Sequence, residues 1–139
     1  MTLNQEFKEK LRKSGLRPTK QRIRICEILF NVNETFHFTI KDLVKMIEIN
    51  TNQKISLASV YNTTHAFEKK GYLKEIAINS IQSYFDTNTS IHHHFFDEKK
   101  KELIDIENND VDPIRVKKII PGKKIKSIEV LVKIDSDNQ

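Results

Sequence analysis

The chain has little cysteine, glycine and proline, and it has no long apolar run. Its 139 residues include one cysteine, three glycines, three prolines and no tryptophan. The single cysteine, Cys26, excludes an internal disulfide. No stretch of about eighteen apolar residues is present, and the amino terminus is polar and mixed in charge, so neither a membrane span nor a secretory signal is predicted. We expect a cytoplasmic protein of one domain or two small ones.

Charge is distributed unevenly along the chain. Residues 1–74 carry 14 basic and 7 acidic side chains, whereas residues 75–139 carry 10 and 12. Between Lys8 and Arg24, eight basic residues stand against the single acidic residue Glu9. Such a run is commonly a solvated face, but it also suits the neutralisation of nucleic-acid phosphates. The amino-terminal half is therefore the predicted nucleic-acid-binding half.

Residues 56–71 have the pattern of a capped helix with one apolar and one polar face. Ser56 can cap the first turn, and Gly71 suits the left-handed conformation after the last turn. An outward face of small, amide and aromatic side chains suits base edges and thymine methyl groups, although an ordinary amphipathic helix is the alternative for this segment alone. The predicted buried stripe is Leu57, Val60, Thr64 and Phe67, and the outward set is Ala58, Ser59, Tyr61, Asn62 and His65.

The flanking segments predict that this helix belongs to a winged helix-turn-helix. Upstream, Thr39 to Asp42 has the capping-box pattern and begins a helix that should end near Ile49, followed by a short polar turn. Downstream, residues 72–78 and 82–86 are rich in β-branched and aromatic side chains, which predicts a two-stranded wing. Two earlier helices are expected, one ending near Gly15 and one capped by Thr19.

The rest of the chain predicts a small β-rich domain. We assign residues 1–86 to the DNA-binding domain, residues 87–91 to a hinge and residues 92–139 to the second domain. Strands are expected at 91–96, 102–106 and 125–134. Three strands make too small a core to stand alone, so pairing with a second copy is expected. The predicted fold class is α+β, a winged helix-turn-helix domain followed by a β-rich dimerisation domain.

Three consecutive histidines open the second domain. In a strand, successive side chains point to opposite faces, so His92 and His94 share one face and His93 lies on the other. Three adjacent imidazoles would each lose hydration on burial and repel one another when charged, so a ligand-binding role explains them better than packing does. A surface cluster without a ligand is the alternative.

Taken in order, these features resemble the ferric uptake regulator family over nearly the whole chain. Four segments carry the resemblance, residues 15–22, 36–39, 55–61 and 92–94. Within the family the chain looks most like the iron response regulators, because Tyr84-Phe85-Asp86 is followed by His92-His93-His94-Phe95-Phe96 and a cysteine-free carboxy-terminal domain. The resemblance implies a homodimeric transcription regulator that is not an enzyme and binds an AT-rich palindromic operator in double-stranded DNA.

The resemblance also implies roles for residues on the DNA-binding side. Tyr61 is implied to contact thymine methyl groups, and Asn62 follows it at a position where an asparagine can read adenine edges. Arg17 is implied to reach the minor groove or the phosphates. The complete expected DNA-binding set is Arg17, Lys20, Arg22, Ser59, Tyr61, Asn62 and His65.

For sensing, the resemblance implies a metal position between the two domains. His37 at the start of the third helix, Asp86 at the end of the wing, and His94 match that position, and His92 could complete it. Imidazole and carboxylate ligands suit Fe²⁺, Mn²⁺ or Zn²⁺. A metal held by both domains would fix the angle between them and thus the spacing of two recognition helices in a dimer.

Other ligand sites of the family are only partly matched. The paired cysteines that hold structural zinc in many relatives are absent, so no structural zinc is expected. A second metal site keeps His93 and Asp112, but Ile128 lies near the place of its usual histidine. Because the iron response regulators sense haem through their three-histidine stretch, His92, His93 and His94 are also candidate haem ligands, although the Cys-Pro haem motif is absent.

The sequence therefore favours an iron- or haem-responsive repressor of iron metabolism. A regulator that responds to manganese, zinc or peroxide is the alternative within the same class. A metal-dependent enzyme acting on nucleic acid is a remote alternative, because no second carboxylate is evident beside the predicted metal ligands for acid–base catalysis. A third hypothesis is a protein that uses its β domain for pairing alone.

Overall fold

The computed structural model describes residues 1–137 and divides the chain into two compact units, with the boundary between Thr89 and Ser90. The first unit contains four helices and one small sheet, and the second contains another sheet. The α+β class predicted from the sequence is confirmed. Among the described residues, no helix is both long and apolar enough to cross a membrane.

The helices of the first unit begin where local capping interactions predict. The side chains of Thr19, Thr39 and Ser56 each accept a hydrogen bond from a backbone N–H three residues later, so these predicted caps are confirmed. Gly71 ends the last helix with φ of 90°. The helices are α1 Leu3–Lys13, α2 Lys20–Phe30, α3 Ile40–Thr51 and α4 Leu57–Lys70.

A three-stranded antiparallel sheet completes the first unit. Its strands are β1 His37–Phe38, β2 Lys74–Ala77 and β3 Ser83–Asp86, in the order β1-β3-β2. The predicted two-stranded wing is present, and β1 joins it as a third strand. With two residues, β1 is too short to show the alternation of apolar and polar side chains by which a strand is recognised in a sequence. The expectation that His37 starts the third helix is wrong, since His37 lies on β1 and α3 begins only after the cap Thr39.

Apolar side chains from the helices and from this sheet form the core of the first unit. They include Leu11, Ile25, Leu43 and Val60, each completely buried. Burial of such side chains is the main stabilising term for a unit of this size.

The second unit has a sheet of three strands with β4 in the middle. These are β4 His93–Asp97, β5 Glu102–Ile106 and β6 Leu131–Ile134, with β5 antiparallel and β6 parallel to β4. The predicted strand 125–134 is wrong in its first half, because only residues 131–134 pair with β4. Residues before that have alternating side chains but no partner strand within the described chain.

Lys10 packs between two aromatic rings, and we expect this contact to contribute measurably to the stability of the first unit. The ammonium of Lys10 lies 4.2 Å from the ring centroid of Phe30 and 4.0 Å from that of Tyr72, and burial lowers its pKa. Lys10→Ala removes both cation–π contacts and the packed alkyl stem, so we expect the free energy of unfolding to fall by about 1–2 kcal/mol in urea titrations. Lys8→Ala, at an exposed position of the same helix, is the control, and equal effects of the two substitutions would contradict the assignment.

Candidate metal centre and nucleic-acid interface

Two histidines of the second unit converge on one carboxylate. The Nε2 atoms of His92 and His94 lie 3.3 Å and 3.2 Å from the same oxygen, Oδ1 of Asp105. The two imidazole centroids are 4.4 Å apart. Both histidines are buried, whereas the Asp105 side chain is 43% exposed. The three side chains therefore form a compact set of two nitrogen donors and one oxygen donor.

The hydrogen bond at the other ring nitrogen of His92 orients this imidazole as a ligand. Nδ1 of His92 lies 2.7 Å from the carbonyl oxygen of Ser90. Because a carbonyl only accepts, Nδ1 must donate, and in the neutral ring the lone pair is then on Nε2, which faces Asp105. Metal-binding histidines commonly donate their second ring N–H to a backbone carbonyl in this way.

The separations within this set are those of ligands that share an ion. Metal–ligand distances of about 2.0–2.2 Å place neighbouring nitrogen and oxygen donors roughly 3.0–3.5 Å apart. The observed distances of 3.2 Å and 3.3 Å fall in that range. The geometry and the donor types therefore fit a divalent transition metal.

The sequence interpretation did not identify Asp105. The strand pairing places it at the site, because Asp105 on β5 is the register partner of His94 on β4. A signal was nevertheless available, since the two predicted strands flank a short charged turn, and residues equally distant from such a turn face each other.

The first unit brings together His37 and Asp86. They are register partners on β1 and β3, and His37 Nε2 lies 3.2 Å from Asp86 Oδ2. The Asp86 side chain is only 1% exposed, and its Oδ1 accepts a hydrogen bond of 2.8 Å from the backbone N–H of Asn88. A buried carboxylate requires a positive partner or several hydrogen bonds, so this pair is a second candidate group of metal donors.

His93 does not take part in the group formed by His92, His94 and Asp105. Its Nδ1 accepts a hydrogen bond of 2.9 Å from the backbone N–H of Val130. In the neutral ring, Nε2 must then carry the proton and has no lone pair for a metal. His93 and Asp112 line one cavity of about 240 Å³ together with Ile128. The second metal site at these residues stays a prediction, and the observed hydrogen bond favours a structural role for His93.

Four of the predicted DNA-binding residues of the first unit lie around one open cleft. The cleft measures about 630 Å³, and its lining includes Arg17, Lys20, Arg22 and Ser59. The guanidinium of Arg22 donates a hydrogen bond of 2.9 Å to the backbone carbonyl of Arg17, which steadies the loop before α2. Three cationic side chains beside the amino terminus of α2 make this rim attractive to phosphate.

The prediction that the outward residues of α4 are exposed is confirmed for Tyr61 and Asn62, but His65 is less exposed than predicted. Tyr61 and Asn62 are exposed. His65 is half-buried, with its ring centroid 4.2 Å from that of Tyr61 and 5.7 Å from that of Phe85. His65 therefore supports the Tyr61 ring from the side of the sheet and is not a freely exposed group.

One residue of the predicted buried stripe of α4 was wrongly placed. Leu57 is 55% exposed, because it occupies the first turn, where the helix extends past the core. Thr63 is fully buried instead, with Val60, Thr64 and Phe67. Residues 60, 63, 64 and 67 follow the three- and four-residue spacing of a single helical face.

Cys26 lies within the core of the first unit and has no role in these sites. It is completely buried, and burial raises the pKa of its thiol to about 12. The reactive form of cysteine is the thiolate, so this side chain is inert toward oxidants near neutral pH while the unit is folded.

Comparison with known proteins identifies the family. The family model of the ferric uptake regulator family matches residues 13–134. The chain is similar to the peroxide operon regulator of Bacillus subtilis (strain 168), with 34% identity over 109 residues that make up 78% of this chain and 73% of that protein. It is also similar to the peroxide-responsive repressor PerR of Staphylococcus epidermidis (strain ATCC 12228 / FDA PCI 1200), with 31% identity over 104 residues, 75% of this chain and 67% of that protein.

Solved structures agree at the level of the fold. The ferric uptake regulator from Pseudomonas aeruginosa with manganese aligns with a TM-score of 0.68 and 21% identity, covering 95% of this chain and 98% of that chain. The family match extends over most of the sequence, and the identity to curated relatives is sufficient to establish common membership. The chain belongs to the ferric uptake regulator family.

Proposed function

We propose that this chain is a metal-dependent repressor that binds double-stranded DNA as a homodimer and releases it in response to peroxide. Membership of the family makes the chain a metal-responsive transcription regulator and not an enzyme. The two curated relatives described above are both named for peroxide, and neither is named as an iron response regulator. The relatives therefore support the peroxide alternative over an iron- or haem-responsive regulator of iron metabolism.

The convergence of His92 and His94 on one oxygen of Asp105 carries this proposal. We propose that these three side chains and the His37–Asp86 pair of the first unit bind one shared ion. Three neutral imidazoles and two carboxylates balance the charge of a divalent cation. Five nitrogen and oxygen donors suit Fe²⁺ or Mn²⁺ better than Zn²⁺, which prefers four ligands.

The same convergence favours a small ion over haem. Two imidazoles that face a common carboxylate oxygen at 3.2–3.3 Å leave room between them for an ion but not for the plane of a macrocycle. Metal binding would then link two parts of the chain, one of which carries the recognition helix α4. Such a link would favour one separation of the two recognition helices in a dimer. The two half-sites of an operator lie at a fixed spacing, so the affinity for DNA depends on that separation.

In this chain, a bound metal is a better candidate for the group that reacts with peroxide than a cysteine thiol is. Iron, when bound, supplies a redox couple that can reduce peroxide, whereas zinc has no redox chemistry. The only thiol, Cys26, is buried and its pKa is raised to about 12, so it is not available as a peroxide sensor. The protein residues contribute donor atoms, their orientation and partial exclusion of water.

A gel-shift series at one fixed salt concentration tests the proposal. The probe is an AT-rich palindrome, and the protein is compared without metal and with Fe²⁺, Mn²⁺, Zn²⁺ or haem, each before and after hydrogen peroxide. We expect Fe²⁺ and Mn²⁺ to increase affinity and peroxide to abolish binding of the Fe²⁺ form while leaving the Zn²⁺ form unchanged.

Two variants serve as controls in that series. His94→Ala should remove the metal response, and Cys26→Ala should keep the peroxide response because the thiol takes no part. Equal binding by all forms would contradict the sensor assignment. A response to haem alone would support the iron response hypothesis in place of the peroxide one.

A further inference from the structure

Four aromatic rings form a continuous row within the first unit, from the sheet to the exposed face of α4. The ring centroids of Phe38 and Phe85 are 5.8 Å apart. The ring of Phe85 lies 5.7 Å from that of His65, which in turn lies 4.2 Å from that of Tyr61. Aromatic side chains at such separations are in direct contact. We call these four residues the aromatic row.

The inner end of the aromatic row adjoins the His37–Asp86 pair. On β1, Phe38 directly follows His37. On β3, Phe85 directly precedes Asp86 and is the register partner of Phe38. Because successive side chains of a strand point to opposite faces, the two metal donors lie on one face of the sheet and the two phenyl rings on the other. A change in how β1 lies against β3 on the donor face therefore reaches both phenyl rings.

The His37–Asp86 pair has two mutually exclusive arrangements. In the structure, Nε2 of His37 lies 3.2 Å from Oδ2 of Asp86, so the two side chains share a proton directly. A metal ion would take the lone pair of Nε2, and this nitrogen could then no longer donate to the carboxylate. Ligation therefore replaces the direct tie between β1 and β3.

The strand β1 is suited to respond to such a replacement. It has two residues and lies at the edge of the sheet, whereas β3 is central and pairs with both β1 and β2. A short edge strand has few backbone hydrogen bonds, so its position changes at lower cost than that of the central strand.

The outer end of the aromatic row supports the ring that is predicted to read bases. His65 follows Tyr61 by four residues on α4, so the two side chains share a helical face. His65 is half-buried and Tyr61 is 52% exposed. The His65 ring packs on Tyr61 and meets Phe85 edge-on, at an interplanar angle of 85°. His65 therefore connects the outward tyrosine to the central strand of the sheet.

We propose that Phe85 and His65 are positioning residues that couple the His37–Asp86 pair to Tyr61. When metal ligation replaces the direct hydrogen bond, β1 adjusts against β3, and the aromatic row passes the adjustment to the tyrosine ring. The inference rests on the proposed function, because it takes the pair as metal ligands and Tyr61 as a base-reading residue. It adds an effect of metal that acts within one unit and does not depend on the separation of two recognition helices.

Phe85→Leu in the full-length chain tests the aromatic row. Leucine keeps an apolar side chain in the core but removes the ring that joins the sheet to His65. The readout is the coupling factor, which is the operator Kd without metal divided by the Kd with saturating Mn²⁺ at one salt concentration. We expect the coupling factor to fall by about 2- to 30-fold. Because coupling is reciprocal, the increase in Mn²⁺ affinity caused by the operator should fall by the same factor.

Two further variants separate coupling from stability. Phe67→Leu is the matched control, because Phe67 is also buried on α4 but its ring packs on Phe30 and Tyr72. This variant should lose stability and keep the coupling factor. His65→Leu changes a half-buried helical position, so it interrupts the row at a smaller cost to folding and should also lower the coupling factor. Circular dichroism would verify that each variant is folded.

A readout without metal or DNA follows the Tyr61 ring itself. The chain has three tyrosines, so a ¹³C-tyrosine NMR spectrum contains few ring signals, and Tyr61→Phe assigns the signal of interest. Asp86→Asn removes the charge that holds the pair together, and we expect it to shift the Tyr61 signal in the metal-free chain. The shift should disappear when Phe85→Leu is added and should remain when Phe67→Leu is added.

The outcomes distinguish the aromatic row from the proposed function. An unaltered chain whose operator affinity ignores metal would contradict the proposed function, and the NMR comparison would still decide the row. A normal metal response in both Phe85→Leu and His65→Leu would overturn the row and leave the proposed function intact. A coupling factor that falls equally in Phe67→Leu would show general destabilisation, and it would overturn the row as well.

Discussion

Replacing Asp105 with asparagine should weaken Mn²⁺ binding by more than about a hundredfold. Substitution of groups that merely orient a ligand typically costs about 10- to 100-fold in metal affinity, and loss of a direct ligand should cost more. Asparagine keeps the size of the side chain but removes the charge on which the Nε2 atoms of His92 and His94 converge. The expected loss would therefore report on charge and coordination and not on packing.

Isothermal titration calorimetry of Mn²⁺ into the metal-free protein would measure this loss. Glu102→Gln is the matched control, because Glu102 lies on the same strand, β5, and is also exposed. The control should bind Mn²⁺ like the unaltered protein. An Asp105→Asn variant that retained full affinity would show that this carboxylate is not a ligand. Asp86→Asn in the first unit should weaken binding as well if one ion is shared.

Replacing Tyr61 with alanine should reduce operator affinity by about 5- to 150-fold, the equivalent of about 1–3 kcal/mol for one well-made base contact. Tyr61 is 52% exposed on α4, and the His65 ring beside it holds its ring in place. A side chain that is exposed and also supported can enter the major groove without a large loss of conformational entropy. The affinity for unrelated DNA should change much less.

Two further variants separate base contact from charge in the same salt-controlled binding assay. Tyr61→Phe keeps the ring and should retain most of the affinity, because the predicted contact with thymine methyl groups is apolar. Arg17→Ala should weaken binding to all sequences alike and reduce the salt slope by about one, as expected for the loss of one phosphate contact. Equal loss of specific and non-specific binding in Tyr61→Ala would remove Tyr61 from the set that reads bases.

The sequence was most reliable for features that depend on near neighbours. Helix starts at Thr19, Thr39 and Ser56 depend on one side chain and a backbone N–H three residues later, so they can be predicted without knowledge of the rest of the fold. The prediction was less accurate at the edges of elements. Leu57 has the right spacing for the buried stripe, but burial also depends on how far the core extends along the helix.

Sequence alone determined the order of the helices, the positive charge of the amino-terminal half and the alternation that separates His93 from His92 and His94. These follow from composition and from the repeat of side chains along a helix or a strand. Only the tertiary structure brought Asp105 to the imidazoles, because strand register pairs it with His94, whereas the family resemblance had already implied that His37 and Asp86 lie together. The turn between β4 and β5 indicates that register, but the register also depends on how the sheet packs, and no local pattern of residues encodes it uniquely.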